Sequence, residues 1–189
     1  MPTLTVIIAS TRRGRLGLPV AHWFIEQARA HGAFEVKVVD LAELDLPLLD
    51  EPNHPRLRQY TQPHTLEWSA IVDASDAFIF VTPEYNYGYP ASLKNAIDYL
   101  HQEWLHKPVG FVSYGGVAAG TRSVQQLKQV VTALSMMPVN EAVALPFFTQ
   151  FIKDGKMQPN ETMVQAAGAM LDQLVRVEEA MRPLRSPPA

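Results

Sequence analysis

A doubly wound, five-stranded parallel α/β sandwich is predicted over residues 1–182, and three observations predict it. Apolar runs of strand length without polar alternation, LTVIIA at 4–9 and FIFV at 78–81, read as strands covered on both faces. Amphipathic helical stretches separate the runs, which is the alternation that parallel pairing through crossovers requires. The strands lead into loops rich in glycine, hydroxyl or cationic residues, at the end of an open α/β sheet where ligands bind.

Taken in order, residues 4–9 form the first strand and Pro19 opens a helix whose apolar face is Val20, Trp23, Phe24 and Ala28, ended by Gly32. Phe34, Val36 and Val38 alternate with Glu35 and Lys37, as in a half-exposed edge strand. Residues 41–64 mix leucines with Pro47, Pro52, Pro55 and Pro63 and read as an irregular excursion, packed on the body or on a second subunit. A short helix over 65–75 buries Trp68, Ile71 and Val72 and leads into the central strand 78–81. After it, Leu93, Ala96, Ile97 and Leu100 recur at helical spacing, with Pro90 at the helix start. Residues 107–113 form the fourth strand, Val124, Leu127, Val131 and Leu134 mark a helix, and 138–145 form the fifth strand. Phe147, Phe148 and Phe151 follow, placed to cover a site or a subunit contact. A long amphipathic helix carries Met163, Ala166, Ala167, Met170, Leu171, Leu174 and Val177, and residues 183–189, with three prolines, form a loosely ordered tail.

Composition narrows the function. At 189 residues and 47% apolar content the chain suits one domain with a sizeable core. A net charge of -3 gives no basic footprint for nucleic acid, so no nucleic-acid partner is expected. Zero cysteines exclude disulfides, thiolate metal sites and cysteine nucleophiles. No metal site is expected either, since His54 and His64 lack a spaced set of partners. No apolar run approaches the roughly 20 residues that span a bilayer, and residues 4–9 are too few for a signal-peptide core. A cytoplasmic location without membrane association is the expectation.

Three loops carry the chemistry. Residues 10–17, STRRGRLG, offer hydroxyls, guanidinium groups and a helix start, a combination that binds a phosphate dianion; residue types alone leave a solvated basic turn open. Residues 83–90, PEYNYGYP, place three aromatics among hydrogen-bonding groups between two prolines, which suits a flat ring and equally a turn whose tyrosines cover the core. Residues 113–122, SYGGVAAGTR, bring backbone amides close to a ligand or simply form a flexible connection, and Arg122 is either an electrostatic contributor or a surface cation.

The stretch TPEYNYGYPASLKNAIDYL at 82–100 resembles the P-E-Y-N-x-S-x-P-G-x-L-K-N-A-I-D signature of the NADPH-dependent FMN reductase family, which is flavodoxin-like. Pro83, Glu84, Tyr85, Asn86, Pro90, Leu93, Lys94, Asn95, Ala96, Ile97 and Asp98 match, while Gly88 stands for the usual serine and Ala91 for the usual glycine. The resemblance implies strand order 2-1-3-4-5, bound FMN, and NADPH or NADH as co-substrate. A small-molecule electron acceptor such as a quinone, azo compound, free flavin or metal ion would be reduced. It implies a phosphate loop at Ser10 and Arg12, with Arg15, Leu16 and Gly17 as further contacts. Flavin-ring contacts are expected from Pro83, Glu84, Tyr85 and Asn86, and contacts to its pyrimidine edge from Ser113, Tyr114, Gly115 and Gly116. No side-chain nucleophile is expected, because flavin N5 carries the reaction. Exposed aromatic loops and the resemblance together imply a homodimer or homotetramer. An electron carrier without its own NAD(P)H activity is the alternative. A receiver-like domain is disfavoured, since neither the first nor the third strand ends in the acids a Mg²⁺ site needs.

Overall fold

The computed structural model describes residues 1–185. Strand β1 (Thr3–Ile8) leads to α1 (Leu18–His31), β2 (Glu35–Asp40) and the single turn α2 (Leu41–Leu44). Helix α3 (Pro63–Asp73), β3 (Ala77–Pro83), α4 (Ala91–Asp98), β4 (Pro108–Gly115) and α5 (Thr121–Ala133) follow. Two short strands, β5 (Met137–Pro138) and β6 (Val143–Pro146), precede a small hairpin of β7 (Ile152–Lys153) and β8 (Lys156–Met157), and α6 (Glu161–Met181) closes the fold. The sheet runs β2-β1-β3-β4-β5, all parallel, with β6 also paired to β4. The 2-1-3-4-5 order is therefore present, with helices on both faces.

Every residue of β3 is buried, in line with its unbroken apolar sequence. Its alternate side chains feed two cores. Ile79 and Val81 join Val20, Phe24, Met170 and Leu174 of α1 and α6 on one face. Phe78 and Phe80 join Trp68, Leu93, Leu127 and Val131 of α3, α4 and α5 on the other.

The expected fifth strand is split. Between Pro138, opposite Val109, and Val143, opposite Val112, the chain advances five residues while β4 advances three. The two surplus residues leave the ladder around Asn140 and Glu141, both exposed, which makes a bulge.

The excursion at 41–64 packs on the body. Asn95 of α4 donates to the Pro47 carbonyl (2.6 Å) and accepts from the Leu49 amide (2.9 Å). Glu51 accepts from the amides of Thr61 (2.8 Å) and Gln62 (2.9 Å), just ahead of α3. Part of the expected tail is also ordered: Arg182–Arg185 form a 3-10 turn, and Arg185 donates to the Asp76 carbonyl (3.0 Å). Its remainder, 186–189, lies outside the described residues.

At the amino ends of the strands, buried charged side chains are answered by neighbouring side chains or carbonyls. Glu103, with a fully buried carboxylate, accepts from Tyr60 (2.9 Å), Ser69 (2.7 Å) and Arg58 Nε (3.2 Å). Lys107 donates to the carbonyls of Val72 (2.8 Å) and Asp73 (3.0 Å) at the end of α3. Glu178 is buried against Arg182 and Arg185.

Candidate functional site

The first loop leaves β1 beside β3, where the Ala9 amide donates to the Val81 carbonyl (3.0 Å). Ser10 is buried, and its hydroxyl lies 2.7 Å from the Tyr85 hydroxyl, linking the first loop to the second. Arg12 and Arg13 are exposed, and the Arg12 carbonyl accepts from the Arg15 amide (3.1 Å), folding the loop back. Arg15, expected at a phosphate, forks onto the Asp40 carboxylate at the end of β2 (Nη1 to Oδ1, 2.6 Å) and donates to the Ser10 carbonyl. Its guanidinium is engaged within the protein, so it shapes the loop. Asp40 also accepts from the Ala42 amide (3.0 Å) and thereby starts α2.

Gly17 is the N-cap of α1 and contributes no side-chain cap, so the leading amides of this 14-residue helix have no side-chain partner. A Cβ at Gly17 would overlap the Tyr114 hydroxyl; glycine lets the third loop's tyrosine reach the start of α1. Burial is the main reason the Tyr114 phenol is held well above its usual pKa. Its ring packs on Phe148 at 4.7 Å between centroids.

The second loop follows β3, whose Pro83 lies opposite Tyr114 of β4. Tyr85 and Gly88 exchange both backbone hydrogen bonds (2.8 and 2.9 Å) around Asn86 and Tyr87, which lie at φ 49° and 73°. Two positive φ values in a two-residue connection are the mark of a type I′ turn. Glu84 does not face the turn: its carboxylate accepts from the Arg122 amide (3.2 Å) and pairs with the Arg122 guanidinium, capping α5 from another loop. Arg122 in turn lies 3.8 Å from the centroid of the Tyr87 ring, and Gln126 donates to the Tyr87 carbonyl (3.1 Å). Ser92, in the first turn of α4, donates to the Ala9 carbonyl (2.7 Å) and ties this loop to β1.

The third loop follows β4. Ser113 and Tyr114 are buried, whereas Gly116 is exposed with nothing within 4 Å of where a Cβ would stand. Gly120, at φ 81°, tucks under Ser113 and Tyr114; a Cβ there would come within 2.8 Å of the Ser113 Cβ. The Phe147 amide donates to the Gly116 carbonyl (3.3 Å), so Phe147 borders this loop.

Convergence of the three loops at the carboxyl ends of β1, β3 and β4 was legible from the strand pattern. Sequence reasoning missed Asp40, Ser92 and Gln126, which act over long stretches of chain, 25 residues in the pair Arg15–Asp40 and 83 in Ala9–Ser92. For Asp40 a signal existed: the last residue of the strand beside β1 faces the loop that leaves β1. Among the described residues there is no group of three His, Cys, Asp or Glu side chains that could hold a metal, and no helix long and apolar enough to cross a membrane.

Comparison with known proteins identifies the family and the fold. The family model for NADPH-dependent FMN reductase matches residues 2–150. An NAD(P)H-dependent FMN reductase of Schizosaccharomyces pombe is 42% identical over 149 residues, covering 77% of this chain and 74% of that protein. A quinone reductase of Escherichia coli is 31% identical over 176 residues, covering 90% of this chain and 85% of that protein. Among solved structures, the flavoenzyme NAD(P)H:(acceptor) oxidoreductase FerB of Paracoccus denitrificans superposes with a TM-score of 0.77 at 20% identity, over 96% of this chain and 99% of that one.

Proposed function

The chain belongs to the NADPH-dependent FMN reductase family, and from that premise we infer that it is an FMN-dependent oxidoreductase that takes electrons from NAD(P)H and passes them to a small-molecule acceptor of the quinone type. The observation that carries this reading is the junction of three loops, one with exposed Arg12 ahead of the start of α1 that has no side-chain cap, one with the exposed Asn86 amide group, and one with Gly116 beside open space.

The residues present fit FMN. Arg12 is unengaged by Asp40 and exposed next to Ser10, Thr11 and the uncapped start of α1, a donor set suited to a phosphate dianion. In our assignment Ser10, Arg12 and the backbone of Leu16 and Gly17 hold the phosphate, and Arg15 keeps the loop in shape through Asp40. Pro83, Glu84, Tyr85 and Asn86 form the seat for the ring; Ser113, Tyr114, Gly115 and Gly116 bring amides to its pyrimidine edge. FMN bound there supplies the two-electron exchange between nicotinamide and acceptor. The protein's part is to bind and orient, with no side-chain nucleophile. The Asn86 amide group aligns the ring edge, and the seat leaves a single face for both substrates, which therefore bind in turn.

A homodimer or a dimer of dimers belongs to the same proposal, supported by the exposed aromatics Tyr85 and Phe147 at the rim of the site. So does a cytoplasmic location, which a chain without cysteine suits. The decisive experiment is NADPH oxidation by the purified, FMN-loaded protein with a quinone and no added reductase. Sustained turnover is expected. FMN binding without turnover would make the chain an electron carrier.

A further inference from the structure

The type I′ turn at Asn86 and Tyr87 contains an unexplained choice of residue. Asn-Gly is the favoured pair for such a turn, because both central residues need positive φ. Asn86 fits the rule; Tyr87, at φ 73°, puts a large side chain where glycine is preferred. The turn does not need that ring, so the chain holds the strain for something the ring does.

Its surroundings show how the ring is presented. The Arg122 guanidinium lies against one face, 3.8 Å from the centroid, and is itself fixed by Glu84, whose side chain is only 7% exposed. Gln126 anchors the Tyr87 carbonyl (3.1 Å). The residue nevertheless remains 63% exposed, so a rigidly backed aromatic face is open to solvent at the carboxyl end of β3. Exposed Val117 and Phe147 stand on and beside the neighbouring loop after β4.

We propose that Tyr87 is the stacking surface for the aromatic ring of the electron acceptor, and that Glu84 and Arg122 are the positioning residues that hold it. A neutral planar ring suits this face. The dihydronicotinamide of NAD(P)H is neutral, but the oxidised product is cationic and would meet the Arg122 charge behind the tyrosine, so once hydride has passed the surface favours the neutral acceptor over the spent nucleotide. The inference rests on the oxidoreductase reading above and adds a specificity determinant to it.

Tyr87→Gly is the direct test, since glycine relaxes the turn while removing the ring; Tyr87→Phe keeps the ring, and Arg122→Lys keeps the charge without the guanidinium plane. Pre-reduced, FMN-loaded protein is mixed with 1,4-naphthoquinone or with ferricyanide, which has no ring to stack. Tyr87→Gly should slow reoxidation by naphthoquinone about tenfold, the scale of one lost aromatic contact, and leave ferricyanide within about twofold. Tyr87→Phe should match wild type, and Arg122→Lys should fall between. Titration of the oxidised protein with redox-inert 1,4-dimethoxynaphthalene should show the same weakening of about tenfold in Tyr87→Gly.

Equal naphthoquinone rates in Tyr87→Gly and wild type, or equal losses with both oxidants, would overturn the assignment. So would an altered sedimentation coefficient in Tyr87→Gly without selective loss on naphthoquinone, which would give the ring to a second copy of the chain. Absence of NADPH oxidation in the wild type would instead overturn the oxidoreductase reading; the dimethoxynaphthalene titration needs no turnover and still reports on Tyr87.

Discussion

The two ends of the sheet differ in how completely their polar groups are engaged. At the amino ends of the strands, Glu103, Lys107 and Glu178 are buried, and each is answered by neighbours from this chain. At the carboxyl ends, Arg12 and Asn86 are exposed, the start of α1 lacks a side-chain cap, and Gly116 faces open space. Both ends are polar, so polarity alone does not mark the site. What separates them is the remainder: the carboxyl ends also hold answered pairs, Arg15–Asp40 and Glu84–Arg122, but beside them stand exposed groups that no side chain of the described residues engages.

Substitutions at the two ends should therefore fail differently. The largest effect is expected at the closed end. Glu103→Ala removes the acceptor of Tyr60 and of the buried Ser69 while Arg58 keeps Asp73 (2.8 Å), and leaving those hydroxyls unanswered costs about 3 kcal/mol, or roughly 6–12 °C in Tm. Scanning calorimetry should show that loss, with unchanged FMN affinity once the protein is folded. An unshifted Tm would mean the closed end is not closed.

At the open end the order reverses. Arg12→Ala should weaken FMN binding on the order of 10- to 100-fold, as one charge-assisted hydrogen bond is lost, with the Tm of the apoprotein unmoved. Arg13→Ala is the control, and equal FMN affinity in the two variants removes Arg12 from the phosphate site. A milder effect is expected for Asn86→Ala: stopped-flow reduction by NADPH slowed by roughly tenfold, FMN retained, and parallel double-reciprocal lines in both proteins. Intersecting lines would show that nicotinamide and acceptor bind together.

The smallest effect concerns Lys107, whose pKa burial lowers from 10.5 to about 8. Between these values the unfolded chain holds the proton that the folded chain has released, so this lysine makes stability rise with pH from about 8 upward. Tyr99 acts oppositely above pH 10, because burial raises its phenol to about 12. A Tm series from pH 8 to 10 should rise gently in wild type and flatten in Lys107→Met; identical slopes would place the lysine outside the titrating set.

Most of the fold was legible because burial on both faces writes itself into sequence as uninterrupted apolar runs, as in β3, and half-burial as alternation, as in β2. The split of the fifth strand was not, since after Pro138 the run 139–145 carries no punctuation stronger than Asn140. In the site, the positions of the loops were readable from strand order, and the signature at 83–98 pointed to the ligand. The engagement of individual side chains was not readable. Arg12 and Arg15 look alike in the chain, and only the arrival of Asp40 from β2 tells the engaged guanidinium from the open one.

The bulge between β5 and β6 has a further consequence at the level of many molecules. A long, flat outer strand is a template on which another chain can add by backbone pairing. Here one margin of the sheet is interrupted at Asn140 and Glu141 and carries Pro138 and Pro146, while the other, β2, carries the paired charges of Glu35 and Lys37. Neither margin offers an uninterrupted apolar row of unpaired amides and carbonyls, so the protein should resist growth into fibrillar aggregates even when concentrated.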